Sequence, residues 1–423
     1  MDNNLNSLTG QKNTLTLDLF FTIVFIIMSS CRVDPLLCFC VLAFNVFLYV
    51  INRNSCTAIC NDRKLWPLLI LLVFVFAHTF PLAGGVFAGK MVSSMISSFS
   101  AVFIFDHFSQ PEKRKQFVIL YKFAWGLITF LSLYSIVFYI IKPASARNQH
   151  DFPLLFTGYG FATAITILTI FLLGLLLHGF FDYNKNLVTG VVALIIVMII
   201  TIYMTESTIT FMILVFGLFC CFFFKKNNKK LFYFKLAIVP LLIVGLVFLL
   251  PRIGEWMIEF SESKIEVSKM YQRIYSLGHF FLYGTEDTEA AYSINRFTIP
   301  FTTLKTFLDN PLTGVAYKHG YGFLRPYLFG VGNHCEFPDA LANFGIFGGS
   351  CFYSIFFVQI TDILKYRIEH RSYLWLVVLF LLGFFNPLRY FYVNLVLFFL
   401  IPAFCLLNEE RLNETCLSEK EDT

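Results

Sequence analysis

Charge is scarce in this chain. Asp, Glu, Lys and Arg make up 14% of its 423 residues, against 57% hydrophobic and 18% aromatic. That excludes an ordinary soluble domain, which carries about a quarter charged residues. A ligand set for a structural metal is also lacking. Cys56 and Cys60 have metal-like spacing, yet no second Cys or His pair stands near them, so no zinc site is expected. The cysteines fall mostly inside apolar runs (Cys38, Cys40, Cys220, Cys221, Cys351, Cys405) and read as small hydrophobes rather than a disulfide framework. The first apolar run has no charged leader and no small-residue cleavage pattern, so it is expected to remain as a span. An internal repeat of two comparable halves, the sequence mark of many secondary transporters and of a flippase-like mechanism, is absent too.

What is present is a series of apolar runs, each near the 20 or so residues that cross a bilayer core. Their approximate extents are 15–30, 36–51, 65–83, 91–107, 117–141, 154–180, 187–204, 208–224, 231–250, 341–363, 373–385 and 389–407. The expected fold is an all-α polytopic membrane protein with about 12 transmembrane helices and one long periplasmic loop late in the chain. The division is residues 1–250 (helices 1–9), 251–340 (loop with amphipathic helices), 341–407 (helices 10–12) and 408–423 (cytoplasmic tail). The net charge of +5 resides in short clusters, Arg53/Arg63/Lys64, Lys113/Arg114/Lys115, Lys225/Lys226/Lys229/Lys230 and Lys365/Arg367/Arg371. With both termini cytoplasmic, every cluster falls inside, as the positive-inside rule requires. A basic surface split among loops in this way is not a nucleic-acid footprint. The expected location is a bacterial inner membrane.

The interval 251–340 holds eight Lys/Arg and ten Asp/Glu, a net charge of about −2, as an outer loop should. Ile253 to Tyr275 has apolar residues near helical spacing with charges between them, an amphipathic helix for the interface. Ser276 to Ile294 reads as loop. Phe301 to Leu308 reads as a short helix stopped at Asn310-Pro311, with Gly314 supplying the turn. Elsewhere Asp18, Lys90 and Glu206 lie in or beside spans, where an ionisable group is costly unless it snorkels or functions. His78 and His178 read as core or interface histidines. Thr157-Gly158-Tyr159-Gly160 has the look of a channel filter, but it opens a long span with no pore helix before it, so close packing is the better reading. Asp287-Thr288-Glu289 reads as a solvated acidic turn rather than a divalent-ion site.

One constellation combines a base, cations and a helix start. Arg296, Arg325, His334, Glu336 and Asp339 gather just before the chain re-enters an apolar run. A helix N-terminus near Asp339 favours a bound anion and a neutral histidine, the form that accepts a proton. Arginines are suited to grip a pyrophosphate; the competing reading ties them to Glu336 or Asp339 within the loop.

These residues resemble the O-antigen polymerase and O-antigen ligase families of Gram-negative envelopes. The resemblance rests on twelve spans with one late outer loop, on Arg296 followed by Asn310-Pro311-Leu312-Thr313-Gly314, and on His334-Cys335 followed by Gly345 and Gly348. It implies a metal-independent glycosyltransferase without cofactor. The donor would be an undecaprenyl-pyrophosphate-linked oligosaccharide, and a chain-length regulator is a conceivable partner. His334 would be the general base or orient the acceptor, Glu336 would fix His334 or the sugar, and Arg296 with Arg325 would hold the pyrophosphate. Many members carry a Ser-Arg pair at a short outer turn, where this chain has Glu206-Ser207-Thr208. A second cation must therefore come from elsewhere, with Arg325, Arg252, Arg147 and Lys90 as candidates. That departure, Cys335 and the 54 phenylalanines favour a polymerase over a ligase.

Overall fold

The computed structural model describes residues 16–30, 40–43, 47, 65–83, 85–141, 158–181, 185–205, 207–223, 248–265, 269–284, 291–315, 335–366 and 374–409. Side chains are not described at 82–88, 90–91, 159, 222, 269–270 and 291–298. Among these residues every regular element is helical. The helices are α1 (Leu17–Ser30), α2 (Trp66–Ala83), α3 (Gly85–Phe108), α4 (Arg114–Ile141), α5 (Tyr159–Leu177), α6 (Lys185–Met204), α7 (Thr208–Phe223), α8 (248–262), α9 (Lys269–Tyr283), α10 (Ala291–Asp309), α11 (Glu336–Lys365), α12 (Leu374–Phe385) and α13 (Phe391–Glu409). Five of them, α4, α5, α6, α11 and α13, contain stretches long and apolar enough to cross a membrane, and α1, α2, α3, α7 and α12 carry shorter apolar stretches. Their bounds follow the apolar runs because a backbone in hydrocarbon must satisfy its own hydrogen bonds, which a helix does within the segment.

Two helices form the centre. The most apolar window of α5 is 89% buried and that of α13 is 78% buried, whereas that of α6 is 22% buried. An all-round apolar helix belongs inside, and the uneven burial turns α6 towards lipid. α5 contacts α6, α7, α12 and α13, and α13 also reaches α1, α3 and α4. Phe99 of α3 and Phe356 of α11 both pack on Phe398 of α13, with ring centroids 5.9 and 5.3 Å apart. Within α13 a wide π turn covers Val396–Leu400, just before Pro402. Proline has no N–H to donate and crowds the carbonyl four residues back, and the wider turn accommodates it. Gly160 stands where a Cβ would come 2.2 Å from the Tyr390 ring, which accounts for the small residue in the Thr157–Gly160 segment.

At one end of the bundle Asp18, His107 and Lys113 meet. Asp18 is 3% exposed; its Oδ2 lies 3.0 Å from His107 Nε2 and is bonded by Lys113 Nζ, which also lies 2.6 Å from that imidazole nitrogen. Asp18 therefore does not snorkel: it joins α1 to the connection after α3. Removing one partner of such a buried cluster strands the others' charge. Asp18→Ala is expected to cost about 3 kcal/mol, read as a lower melting temperature of the purified protein in detergent; an unchanged melting temperature would show that the cluster contributes nothing.

The stretch after residue 250 differs from expectation. Instead of one amphipathic helix to Tyr275, α8 ends at 262 and α9 runs on to Tyr283, through the segment read as loop. The reason is packing. Gly254 and Gly278 let the two helices touch, since a Cβ on either would meet the other's carbonyl oxygen at 2.8 Å. Trp256 and Phe260 stack on α8 with centroids 5.4 Å apart and stay exposed, while Lys264 lies over the Phe260 and Tyr271 rings. α10 likewise begins at Ala291, before the expected Phe301, and continues through Pro300. It stops at Asp309, immediately before Asn310-Pro311, and Gly314 adopts φ +73° in the turn that follows.

Candidate functional site

α11 is two helices joined by a reversal. Its 30 residues would extend about 45 Å if straight, well beyond a bilayer core of about 30 Å. Gly345 breaks it with φ 62° and ψ −164°, a conformation essentially confined to glycine. The arm 336–344 then folds back along the arm 346–365. Tyr353 Oη donates to the Phe337 carbonyl at 2.6 Å, and the Phe337 and Phe356 rings lie 5.8 Å apart. Small residues allow the arms to meet: a Cβ on Gly349 would come 2.8 Å from Leu341.

A reversal leaves backbone groups without helical partners, and the turn after α10 supplies them. The Ile346 N–H donates to the Pro311 carbonyl at 2.7 Å, and the Val315 N–H donates to the Ala342 carbonyl at 2.8 Å. The approach is close enough that a Cβ on Gly345 would sit 2.3 Å from the Leu312 carbonyl carbon. Asn310-Pro311-Leu312-Thr313-Gly314 is thus a clamp on the corner. Gly345 and Gly348 form the reversal and its first turn.

The consequence is positional. Phe337 lies beside Tyr353 and Phe356, eight to eleven residues beyond the corner, so Cys335 stands roughly 12–16 Å along the bundle from Gly345. The N-terminus of the short arm points into the protein, and Cys335, Glu336 and Asp339 are 1%, 1% and 2% exposed. Cys335 Sγ lies 3.5 Å from Asp339 Oδ1 and 3.4 Å from Thr303 Oγ1 of α10. Arg296 belongs to α10 as well, seven residues before Thr303 in sequence.

Glu336 has partners that were not foreseen. Its Oε2 accepts the N–H groups of Leu388 at 3.0 Å and Arg389 at 3.3 Å, and its Oε1 pairs with Arg389 Nε at 2.6 Å. Its own N–H donates to the Asn386 carbonyl at 3.3 Å. Asn386 Nδ2 donates to Thr210 Oγ1 at 2.9 Å, which also accepts from Ser207 Oγ at 2.7 Å. Ser98 Oγ of α3 donates to the Arg389 carbonyl at 2.8 Å. The start of α11, the turn 386–390 and the start of α7 are therefore one hydrogen-bonded unit. Close by, Arg273 of α9 donates to Thr208 Oγ1 at 3.3 Å, beside a groove of about 280 Å³. Tyr203, Phe211, Met212, Met257, Ile274, Leu277 and Phe281 give the groove an apolar lining.

Of the residues singled out in the sequence, Glu336 and Asp339 are brought together at the buried arm. Arg296 is placed on the neighbouring helix, with its side chain not described. His334, Arg325, Glu206, Arg147, the Asp287-Thr288-Glu289 turn, Cys56 and Cys60 lie outside the described residues, as do the basic clusters at 53–64 and 225–230. Arg252 is exposed at the start of α8, and the side chain of Lys90 is not described. Among the described residues no group of three or more His, Cys, Asp or Glu side chains is arranged to hold a metal. Arg389 was missed, though a signal existed: it is a lone arginine in the short connection between two apolar runs, where an ionisable side chain is costly unless it is paired or functions.

The fold and this buried polar unit define the class as a helical membrane protein with a charged site set into one end of its bundle. Residues 193–353, less than half of the chain, match the family model described as O-antigen ligase. The matched stretch contains the Gly345 corner and Glu336 and ends before Arg389. Comparison with curated proteins and with solved structures returned no match.

Proposed function

We propose that the protein is an O-antigen polymerase, transferring a glycan from undecaprenyl pyrophosphate onto the next lipid-linked repeat unit at the outer face of a bacterial inner membrane. The observation that carries this is the returning arm of α11, which holds the residue after His334 inside the bundle next to α10, the helix of Arg296. In the step, the acceptor hydroxyl oxygen bonds to the anomeric carbon. The bond from that carbon to the pyrophosphate oxygen breaks, and its electron pair leaves with the lipid pyrophosphate. His334 takes the hydroxyl proton, while Arg296 and Arg325 stabilise the charge on the leaving group. Glu336 is engaged by a turn and a guanidinium, so its role is positioning rather than proton transfer. The chemistry calls on no metal or cofactor. The apolar groove beside Arg273 suits the first isoprene units of the carrier.

In this arrangement both termini are cytoplasmic and residues 251–340 form the periplasmic interval, its last residues folded down against the bundle. A chain-length regulator would act from that side. The preference for polymerase over ligase rests on the missing Ser-Arg pair, on Cys335 and on the phenylalanine content. Lipopolysaccharide from a deletion strain tests it on a gel. A single repeat on the core, extended to long chains when the gene is restored, is the expected result. A core without any O-antigen, while lipid-linked chains are still made, would identify a ligase instead.

A further inference from the structure

Around α8 the residues fall into three stripes, each about a third of the circumference. Gly254, Met257, Ile258 and Ser261 form the side turned to the protein: Gly254 and Ser261 are buried, and Gly254 meets Gly278 of α9. Glu255, Glu259 and Glu262 form an exposed acidic stripe. Between the two runs an apolar stripe of Leu249, Ile253, Trp256 and Phe260, of which Leu249, Trp256 and Phe260 are 53%, 61% and 40% exposed. A helix packed on a protein in water needs only a buried side and a polar side. A third side, apolar and turned outward, calls for a second apolar medium.

The stripe starts at Leu249, in the last residues of the apolar run 231–250, so it prolongs a stretch built for hydrocarbon. Three exposed glutamates on the neighbouring flank keep the helix out of the hydrocarbon core, where carboxylates are costly. Trp256 stacks on Phe260 with ring centroids 5.4 Å apart, and an indole, apolar with a single N–H, suits the layer between headgroups and acyl chains. Lys264 Nζ lies 4.7 Å from the Phe260 centroid, so its stem covers the end of the stripe while the ammonium reaches water. From this we propose that α8 is an interfacial helix, seated along its Leu249–Ile253–Trp256–Phe260 stripe in the headgroup–acyl boundary of the bilayer, with its acidic stripe in water. The glutamates repel anionic headgroups, so acyl chains and not lipid charge hold the seat. The proposal does not depend on the glycan-transfer reading, and it assigns to the membrane one side of α8 where the sequence offered the whole of Ile253 to Tyr275. Through the Gly254–Gly278 contact the seat also fixes the depth of α9, and with it Arg273 and the groove beside it.

The experiment places the full-length protein in nanodiscs whose phospholipids carry bromine on the acyl chain, either near the headgroup or near the chain end. Trp256 emission is taken as the difference between wild type and Trp256→Phe. Shallow bromine is expected to quench it about twofold more than deep bromine, as fits a stripe about 5–10 Å into the boundary layer, and aqueous iodide is expected to quench it weakly. Glu255→Trp/Trp256→Phe moves the indole about 100° round the helix and is expected to reverse the pattern, with quenching by iodide and none by bromine. Both positions are exposed, so the fold tolerates the exchange. The Trp256 profile is expected to be the same in zwitterionic and anionic discs. Quenching of Trp256 by iodide and not by lipid would put the stripe in water, and stronger quenching by deep bromine would put α8 across the membrane. Quenching by neither would show that another segment of this chain or a second copy covers the stripe. Any of these three results, a lipid profile that needs anionic headgroups, or the same profile from Glu255→Trp/Trp256→Phe would overturn the proposal.

Discussion

Gly345→Ala is expected to abolish chain synthesis and lower the melting temperature of the protein more than any other single methyl group added to this site. Two costs combine. The φ 62°, ψ −164° conformation is one that alanine avoids, at about 1–3 kcal/mol. The new Cβ would also sit 2.3 Å from the Leu312 carbonyl and 2.5 Å from the Thr313 nitrogen, which are backbone atoms of the clamp. Relieving that clash moves the turn and strains its hydrogen bonds to Ile346 and Ala342, a further cost of about 1–3 kcal/mol. The sum is a large part of the roughly 5–15 kcal/mol that holds a typical domain together. Gly349→Ala is the control, because the nearest atom its Cβ would meet, at 2.8 Å, is the Leu341 Cδ2 methyl at the tip of a flexible side chain, which yields more readily than a clamped backbone. Comparable melting temperatures for Gly345→Ala and wild type would show that the reversal is not obligatory.

His334→Ala should reduce turnover by at least about 100-fold, the lower range for loss of a general base. Binding of undecaprenyl pyrophosphate should be retained, because the cations remain. This separates the roles of the two sets of residues: loss of turnover with binding intact marks the histidine, and loss of binding marks the arginines. Restoration of long polysaccharide chains by His334→Ala, expressed at wild-type level in a deletion strain, would remove His334 from the chemistry.

The helices were legible because hydrocarbon imposes two readable demands, apolar side chains and an internally bonded backbone. The stop at Asn310-Pro311 and the turn at Gly314 were legible for a local reason, since proline cannot continue a helix and glycine accepts positive φ. The segment 276–283 was misread because its neighbours decided it. Its polar positions argue for loop, and only the contact of Gly278 with Gly254 shows why it stays helical. Arg389 went unnoticed because its partner Glu336 lies 53 residues away.

Composition and periodicity by themselves determined that this chain is a helical membrane protein, and they placed the residues proposed for its chemistry before residue 340. They did not reveal the direction of the chain at Gly345, because hydropathy is the same for a helix that continues and one that turns back. That reversal depends on a backbone angle and on carbonyl and N–H partners from the turn after α10. It carries Glu336 into the bundle and delivers it to Arg389. Tertiary contacts alone decided which charges meet, because a buried carboxylate must find its donors wherever the fold places them.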